Sequence, residues 1–158
     1  FRVSMPRDLT VSQSVRGSER PERRRRTQPL TGLRVLCIDN DPKILEGMAL
    51  LISGWGCTVG QAASLADVEG LIAGREPAPE LIVADYHLGD GNGVEAILRL
   101  RQAYKADIPA LLVTADRSLE VRAEAERHDI ALQHKPVRPA ALRAYLTQVA
   151  GIKRIAAE

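Results

Sequence analysis

Leu33-Arg34-Val35-Leu36-Cys37-Ile38-Asp39 is a mostly apolar run that stops on a carboxylate. Leu81-Ile82-Val83-Ala84-Asp85 repeats the pattern. Ala110-Leu111-Leu112-Val113 delivers Thr114, and Ile130-Ala131-Leu132-Gln133-His134 delivers Lys135-Pro136. Short apolar runs alternating with segments of helical period describe strands of a parallel sheet covered on both faces. Ligands of such sheets gather at the carboxyl ends of the strands. Asp39, Asp85, Thr114 and Lys135 are therefore expected on one rim. Two carboxylates, a hydroxyl and an ammonium suit a divalent metal and a phosphoryl group.

Working outward, a first helix starts near Asp41-Pro42, with Pro where its missing N–H costs nothing. Ile44, Leu45, Met48, Leu51, Ile52 and Trp55 supply its apolar face, and Gly54 and Gly56 mark its end. A short strand over Cys57–Ala62 follows. Ser64 then caps a helix with Leu65, Val68, Leu71 and Ile72 inward, and Asp67 completes a weak capping box. Tyr86-His87-Leu88-Gly89-Asp90-Gly91-Asn92-Gly93 reads as a loop with tight turns. A third helix carries Val94, Ile97, Leu98, Arg101 and Tyr104. A charged fourth helix, Ser118–His128, has a thin stripe of Leu119, Val121 and Ala125. The last helix, about Arg138 to Ala150, buries Leu142, Tyr145, Leu146 and Val149. The expected fold is a doubly wound (βα)5 three-layer α/β sandwich, flavodoxin-like, with parallel strand order 2-1-3-4-5. That order sets the first and third strands side by side and brings Asp39 to Asp85.

The bulk composition agrees. The 158 residues are 45% hydrophobic and only 3% aromatic, so the core is expected to be Leu, Ile, Val and Ala. The net charge of +2 hides an asymmetry: residues 1–29 hold eight Arg against three acids, leaving 14 basic and 17 acidic side chains in 30–158. Residues 7–30, rich in Ser, Arg and Pro, read as a disordered linker. Arg23-Arg24-Arg25-Arg26 lacks aromatic interleaving and a basic continuation into the domain, so no nucleic-acid partner is expected. Cys37 and Cys57 fit neither a metal spacing nor a disulfide framework. No stretch is long and apolar enough to span a membrane and no secretory leader pattern opens the chain. A cytoplasmic domain is expected, although a parent protein could be membrane-associated. The chain starts with Phe rather than Met and is read as a fragment.

Together these pieces resemble the response-regulator receiver domain, the phosphoacceptor half of two-component signalling. The resemblance rests on Val35-Leu36-Cys37-Ile38-Asp39-Asn40-Asp41-Pro42, Leu81–Asp85 with Gly93 following, Val113-Thr114-Ala115 and His134-Lys135-Pro136. It covers residues 31–152, with 153–158 as a tail, and no output domain is expected after it. It implies that Asp85 is the phosphoacceptor, that Thr114 hydrogen-bonds the phosphate, and that Lys135 pairs with its oxygens. It implies Mg²⁺, or Mn²⁺, held by Asp39, Asn40, Asp85 and the main-chain carbonyl of His87. Ala115 leaves room for the donor, Asp116 and His87 flank the phosphate, and the Lys135-Pro136 bond is expected to be cis. The implied partner is a histidine-kinase dimerisation domain or a histidine phosphotransfer protein. Phe1-Arg2-Val3-Ser4-Met5-Pro6 resembles the last strand of a histidine-kinase ATP-binding domain. Residues 1–6 are accordingly expected to be its remnant, and the parent a hybrid sensor histidine kinase.

Two departures qualify the resemblance. Asn40 stands where the family usually has a second acid, so weaker Mg²⁺ binding is expected; Asp41 lies one residue too far into the helix start for an easy replacement. Leu132 stands where many receivers carry Tyr or Phe, which argues against a large aromatic switch. His128 and His134 show no ligand spacing and read as surface or strand residues. An alternative is a pseudo-receiver, a protein-binding module that never takes phosphate. A flavin or nucleotide binder is disfavoured, since no Gly-rich loop follows the first strand.

Overall fold

Alternation along each strand decides which layer a side chain enters, and the observed strands obey it. The computed structural model describes residues 30–157. The expected kinase remnant (1–6) and all of the expected linker except Leu30 lie outside the described residues. In chain order the elements are β1 (Arg34–Ile38), α1 (Pro42–Gly54), β2 (Thr58–Ala62), α2 (Leu65–Ala73), β3 (Leu81–Asp85), β4 (His87–Leu88), β5 (Gly91–Asn92), α3 (Gly93–Tyr104), β6 (Ala110–Thr114), α4 (Leu119–Arg127), β7 (Ala131–His134) and α5 (Pro139–Ala157).

The main sheet is parallel, in the order β2-β1-β3-β6-β7. This is the expected 2-1-3-4-5 order. Its numbering is displaced because β4 and β5 form a separate antiparallel ribbon, pairing His87 with Asn92 and Leu88 with Gly91. On one face, Leu36, Ile38, Ile82, Ala84 and Leu112 pack with Val68, Val94, Ile97, Leu100, Val121 and Ala125 from α2, α3 and α4. On the other, Val35, Cys37, Leu81, Val83, Leu111 and Val113 pack with Leu45, Ile52, Leu142, Leu146 and Val149 from α1 and α5. Each Val, Leu or Ile among them contributes about 1.5–3 kcal/mol by leaving water. Burial also pushes the thiols of Cys37 and Cys57 up, to about 12 and about 11. Both are packing groups here, not reactive ones.

The helix starts follow local sequence. Asp41, Ser64, Asn92 and Ser118 each accept a main-chain N–H two or three residues on, contacts worth about 1 kcal/mol apiece. Asp67 departs from the expected capping box: its carboxylate accepts from Ala63 N–H at 2.8 Å, not from the cap residue. Its side chain is one methylene shorter than the Glu that usually closes this motif. The helix α5 runs past its expected end at Ala150 to Ala157. Gly151 costs only about 1 kcal/mol inside a helix, and residues 152–157 contain no proline.

Candidate functional site

Since β1, β3 and β6 lie side by side, their carboxyl ends deliver three polar residues to one place. Asp39 follows β1 and is 3% exposed, Asp85 ends β3 at 9%, and Thr114 ends β6 fully buried. Lys135 follows β7 and reaches across the rim. Its Nζ lies 3.3 Å from Asp39 Oδ2 and 3.5 Å from Asp85 Oδ2, so one ammonium bridges both carboxylates. Its main-chain N–H donates to the Thr114 carbonyl at 2.9 Å, and the Lys135–Pro136 peptide is cis. Burial raises the Asp85 pKa; Lys135 pulls it down, Asp39 pushes it up, and hydrogen bonds from Lys135 and the Tyr86 main chain lower it.

Two buried carboxylates share one nearby cation, which leaves a net negative charge on a largely desolvated rim. Such a charge calls for another cation. Among the described residues no cluster of three or more His, Cys, Asp or Glu side chains could by itself hold a metal ion. The donor set is smaller: Asp39, Asp85 and main-chain oxygen. One or two carboxylates completed by carbonyl and water oxygens is the set that suits Mg²⁺, so these residues fit the ion that the sequence implies.

The segment after Asp85 is held tightly. Gly93 N–H donates to the Tyr86 carbonyl at 2.7 Å, and a Cβ on Gly93 would fall 2.2 Å from the Asp85 carbonyl oxygen. Only glycine lets α3 start this close to the strand end. The His87 side chain is exposed, with Nε2 3.0 Å from Asp116 Oδ2. Asp116 in turn accepts from Ser118 N–H through Oδ1 at 2.9 Å, and its own N–H donates to Thr114 Oγ1 at 3.0 Å. Hydrogen bonds from Ser118 first, then His87, hold the Asp116 carboxyl below the usual range. Ala115, between Thr114 and Asp116, is exposed.

The other singled-out residues lie further out. Asn40 is exposed on the β1–α1 turn. Asp41 accepts from Lys43 N–H at 3.0 Å, so its carboxylate serves the end of α1; its own N–H donates to Asp39 Oδ1 at 2.9 Å. Leu132 is half-buried and packs with Tyr86 against the cluster that contains Val121 and Ala125. His128 caps the end of α4, and His134 sits opposite Thr114 at the end of β7. The sequence reading gave no role to three residues that act here. Tyr86 donates its hydroxyl to Glu124 of α4 at 2.9 Å. Arg101 donates to the carbonyls of Ile108, His128 and Asp129 at 3.0, 2.6 and 3.3 Å, tying α3 to the end of α4. Asp90 accepts from the first N–H groups of α2. Only Asp90 carries a local signal, an Asp between two glycines at a turn.

Comparison with known proteins agrees with this fold. A receiver domain (CheY-like) from Methanospirillum hungatei is 22% identical with a TM-score of 0.70, covering 78% of this chain and 98% of that one. The signal receiver domain of an HD domain-containing protein from Pseudomonas fluorescens is 23% identical with a TM-score of 0.69, covering 80% and 99%. The BeF3-activated DrrB receiver domain is 19% identical with a TM-score of 0.64, covering 75% and 97%. No curated protein matches the chain significantly. At these identities the structures speak to the fold alone; residues 35–147, however, match the family described as the response regulator receiver domain, and the chain belongs to that family.

Proposed function

We propose that this receiver domain takes a phosphoryl group from a phosphohistidine onto Asp85 in a Mg²⁺- or Mn²⁺-dependent reaction. The observation that carries the reading is the bridge of Lys135 Nζ to Asp39 and Asp85 at 3.3 and 3.5 Å, beside Thr114 at the end of the adjacent strand β6. An Asp85 carboxylate oxygen forms the new P–O bond as the P–N bond of the donor breaks and its electron pair returns to the imidazole. Bound Mg²⁺, held by Asp39, Asp85 and the main-chain oxygen of His87, would supply positive charge against the incoming phosphoryl oxygens. Lys135 is close enough to exchange its carboxylate partner for a phosphoryl oxygen, a charge-assisted contact of the same kind. Thr114 has its hydroxyl oxygen occupied by Asp116 N–H, so its O–H proton is free to be aimed at an acceptor on the rim. The exposed Ala115 offers the donor little steric resistance.

BeF3 activates the DrrB receiver, which shares this fold. A beryllium fluoride adds to an oxygen with phosphoryl-like geometry, and the same addition is expected at Asp85. The implied partner is a histidine-kinase dimerisation domain or a histidine phosphotransfer protein, with a hybrid sensor kinase as the parent chain.

Intact-mass spectrometry after incubation with phosphoramidate or acetyl phosphate and Mg²⁺ tests the reading, with Asp85→Asn alongside. One added phosphoryl group on the parent, none on the variant and none in EDTA is the expected result. A folded parent that stays unmodified at saturating Mg²⁺ would instead make this a pseudo-receiver, a binding module with a silent rim.

A further inference from the structure

Asp90 stands at the turn of the β4–β5 ribbon, yet its carboxylate serves another element. Oδ1 accepts from Leu65 N–H at 2.9 Å and Oδ2 from Ala66 N–H at 3.1 Å. These are the first two donors of α2. The third, Asp67 N–H, goes to Ser64 Oγ at 3.1 Å, and the fourth, Val68 N–H, to the Ser64 carbonyl at 3.2 Å. Helix α2 thus already has its own cap from its own sequence. Of the first two N–H groups, that of Ala66 is exposed and open to water and that of Leu65 is partly buried, so α2 needs Asp90 for one group at most.

The ribbon has more need of α2. Two residues per strand cannot hold an antiparallel pair in register without outside support. The ribbon is pressed onto the first turn of α2: a Cβ on Gly91 would fall 2.2 Å from Leu65 Cδ1. The Asp90 carboxylate also faces the positive end of the α2 dipole, where an anion is favoured. Its hydrogen bond from Leu65, chiefly, holds its carboxyl below the usual range. The other end of the ribbon is pinned by Gly93 N–H on the Tyr86 carbonyl. His87 lies between these two anchors, and on the phosphoacceptor reading its main-chain oxygen is the one metal donor whose position depends on the path of the ribbon.

We infer that Asp90 is a positioning residue: its carboxylate clasps the β4–β5 ribbon to the N-terminus of α2 and thereby sets how well the His87 main chain serves a metal ion on the rim. The inference rests on the phosphoacceptor reading above. It distinguishes Asp90 from Ser64, whose capping hydrogen bonds stay within α2.

The test uses the full chain and its Asp90→Ala, Asp90→Asn and Ser64→Ala variants. Each is titrated with MgCl₂ by calorimetry, and hydrogen exchange over residues 86–93 is followed in EDTA. Asp90→Ala is expected to weaken Mg²⁺ binding by about tenfold, as loss of an outer support of a metal ligand does, and to speed exchange across the ribbon. Asp90→Asn keeps one acceptor and falls between. Ser64→Ala lowers the melting temperature but leaves Mg²⁺ affinity within roughly twofold of the parent and ribbon exchange unchanged. Equal weakening by Ser64→Ala would overturn the inference, because metal affinity would then follow helix stability. So would unchanged affinity and exchange in Asp90→Ala. A parent that gives no Mg²⁺ binding overturns the phosphoacceptor reading as well, and that failure is recognised because the parent itself is silent.

Discussion

At Asp85, burial first and the Asp39 carboxylate second work against the charged form, while Lys135 and the Tyr86 main chain work for it. The raised pKa says that the first pair wins. A carboxyl whose pKa is raised on folding contributes stability in full below its unfolded value, about 3.9, and loses it as pH rises through the folded value. In metal-free buffer, Asp85→Asn is therefore expected to melt above the parent at pH 7, with the gap closing as the pH falls toward about 4. Melting curves across that range check it; a lower melting temperature at pH 7 would mean that the Lys135 pairing outweighs burial. At this scale the sequence was most readable where a polar residue ended an apolar run. Asp39, Asp85 and Thr114 announce themselves because each strand's last side chain points at the rim. Asp41, one residue too far along to replace the missing acid easily, turns out to serve α1: its carboxylate accepts from Lys43 N–H as a helix cap, a use that an Asp before a Pro favours. Asp90 could be read as a turn residue but not as a partner of α2, because the N–H groups it accepts from lie 24 and 25 residues away.

The start of α3 is the element most closely fitted to the chemistry. Gly93→Ala would drive a methyl group into the Asp85 carbonyl and Leu112, and overpacking of that kind costs about 1–3 kcal/mol. Gly47, in the middle of α1, has nothing within 4 Å of the corresponding position, so Gly47→Ala is expected to stabilise by about 0.5–1 kcal/mol. Urea denaturation of the two variants should give midpoint shifts of opposite sign. Equal shifts would show that helix propensity, not the approach to Asp85, governs Gly93. The helices themselves were legible because apolar residues recur at helical spacing and Ser, Asp or Asn precedes each start but that of α5. The β4–β5 ribbon was not, because two residues per strand carry no period. The end of α5 was misplaced as well: the expected end at Ala150 lies one residue before Gly151, which the helix runs through, and propensity alone does not tell a tolerated glycine from a stop.

Across the whole molecule, the strand order follows from right-handed crossovers acting on five strand–helix pairs, which is why the topology was legible before any contact was known. Stability is layered accordingly. Each residue of β3 and β6 is buried, whereas the edge strand β2 is largely exposed and β7 is half-buried. Amides of β3 and β6 are expected to exchange only through global unfolding, and those of β2 and β7 through smaller openings. Native-state exchange in low denaturant checks this, and equal opening energies in centre and edge would contradict it. What the strand pattern could not convey is how the layers are tied together, because Arg101 and Tyr86 bond to groups on distant helices and loops. Tyr86 has a consequence of an optical kind. Of the three tyrosines, Tyr104 and Tyr145 give their hydroxyls to main-chain carbonyls, while Tyr86, next to Asp85, gives its own to the Glu124 carboxylate. An excited phenol passes its proton to a bonded carboxylate and goes dark. Tyr86 emission is therefore expected to be quenched while α4 is latched to the residue after β3, and to rise when that latch opens.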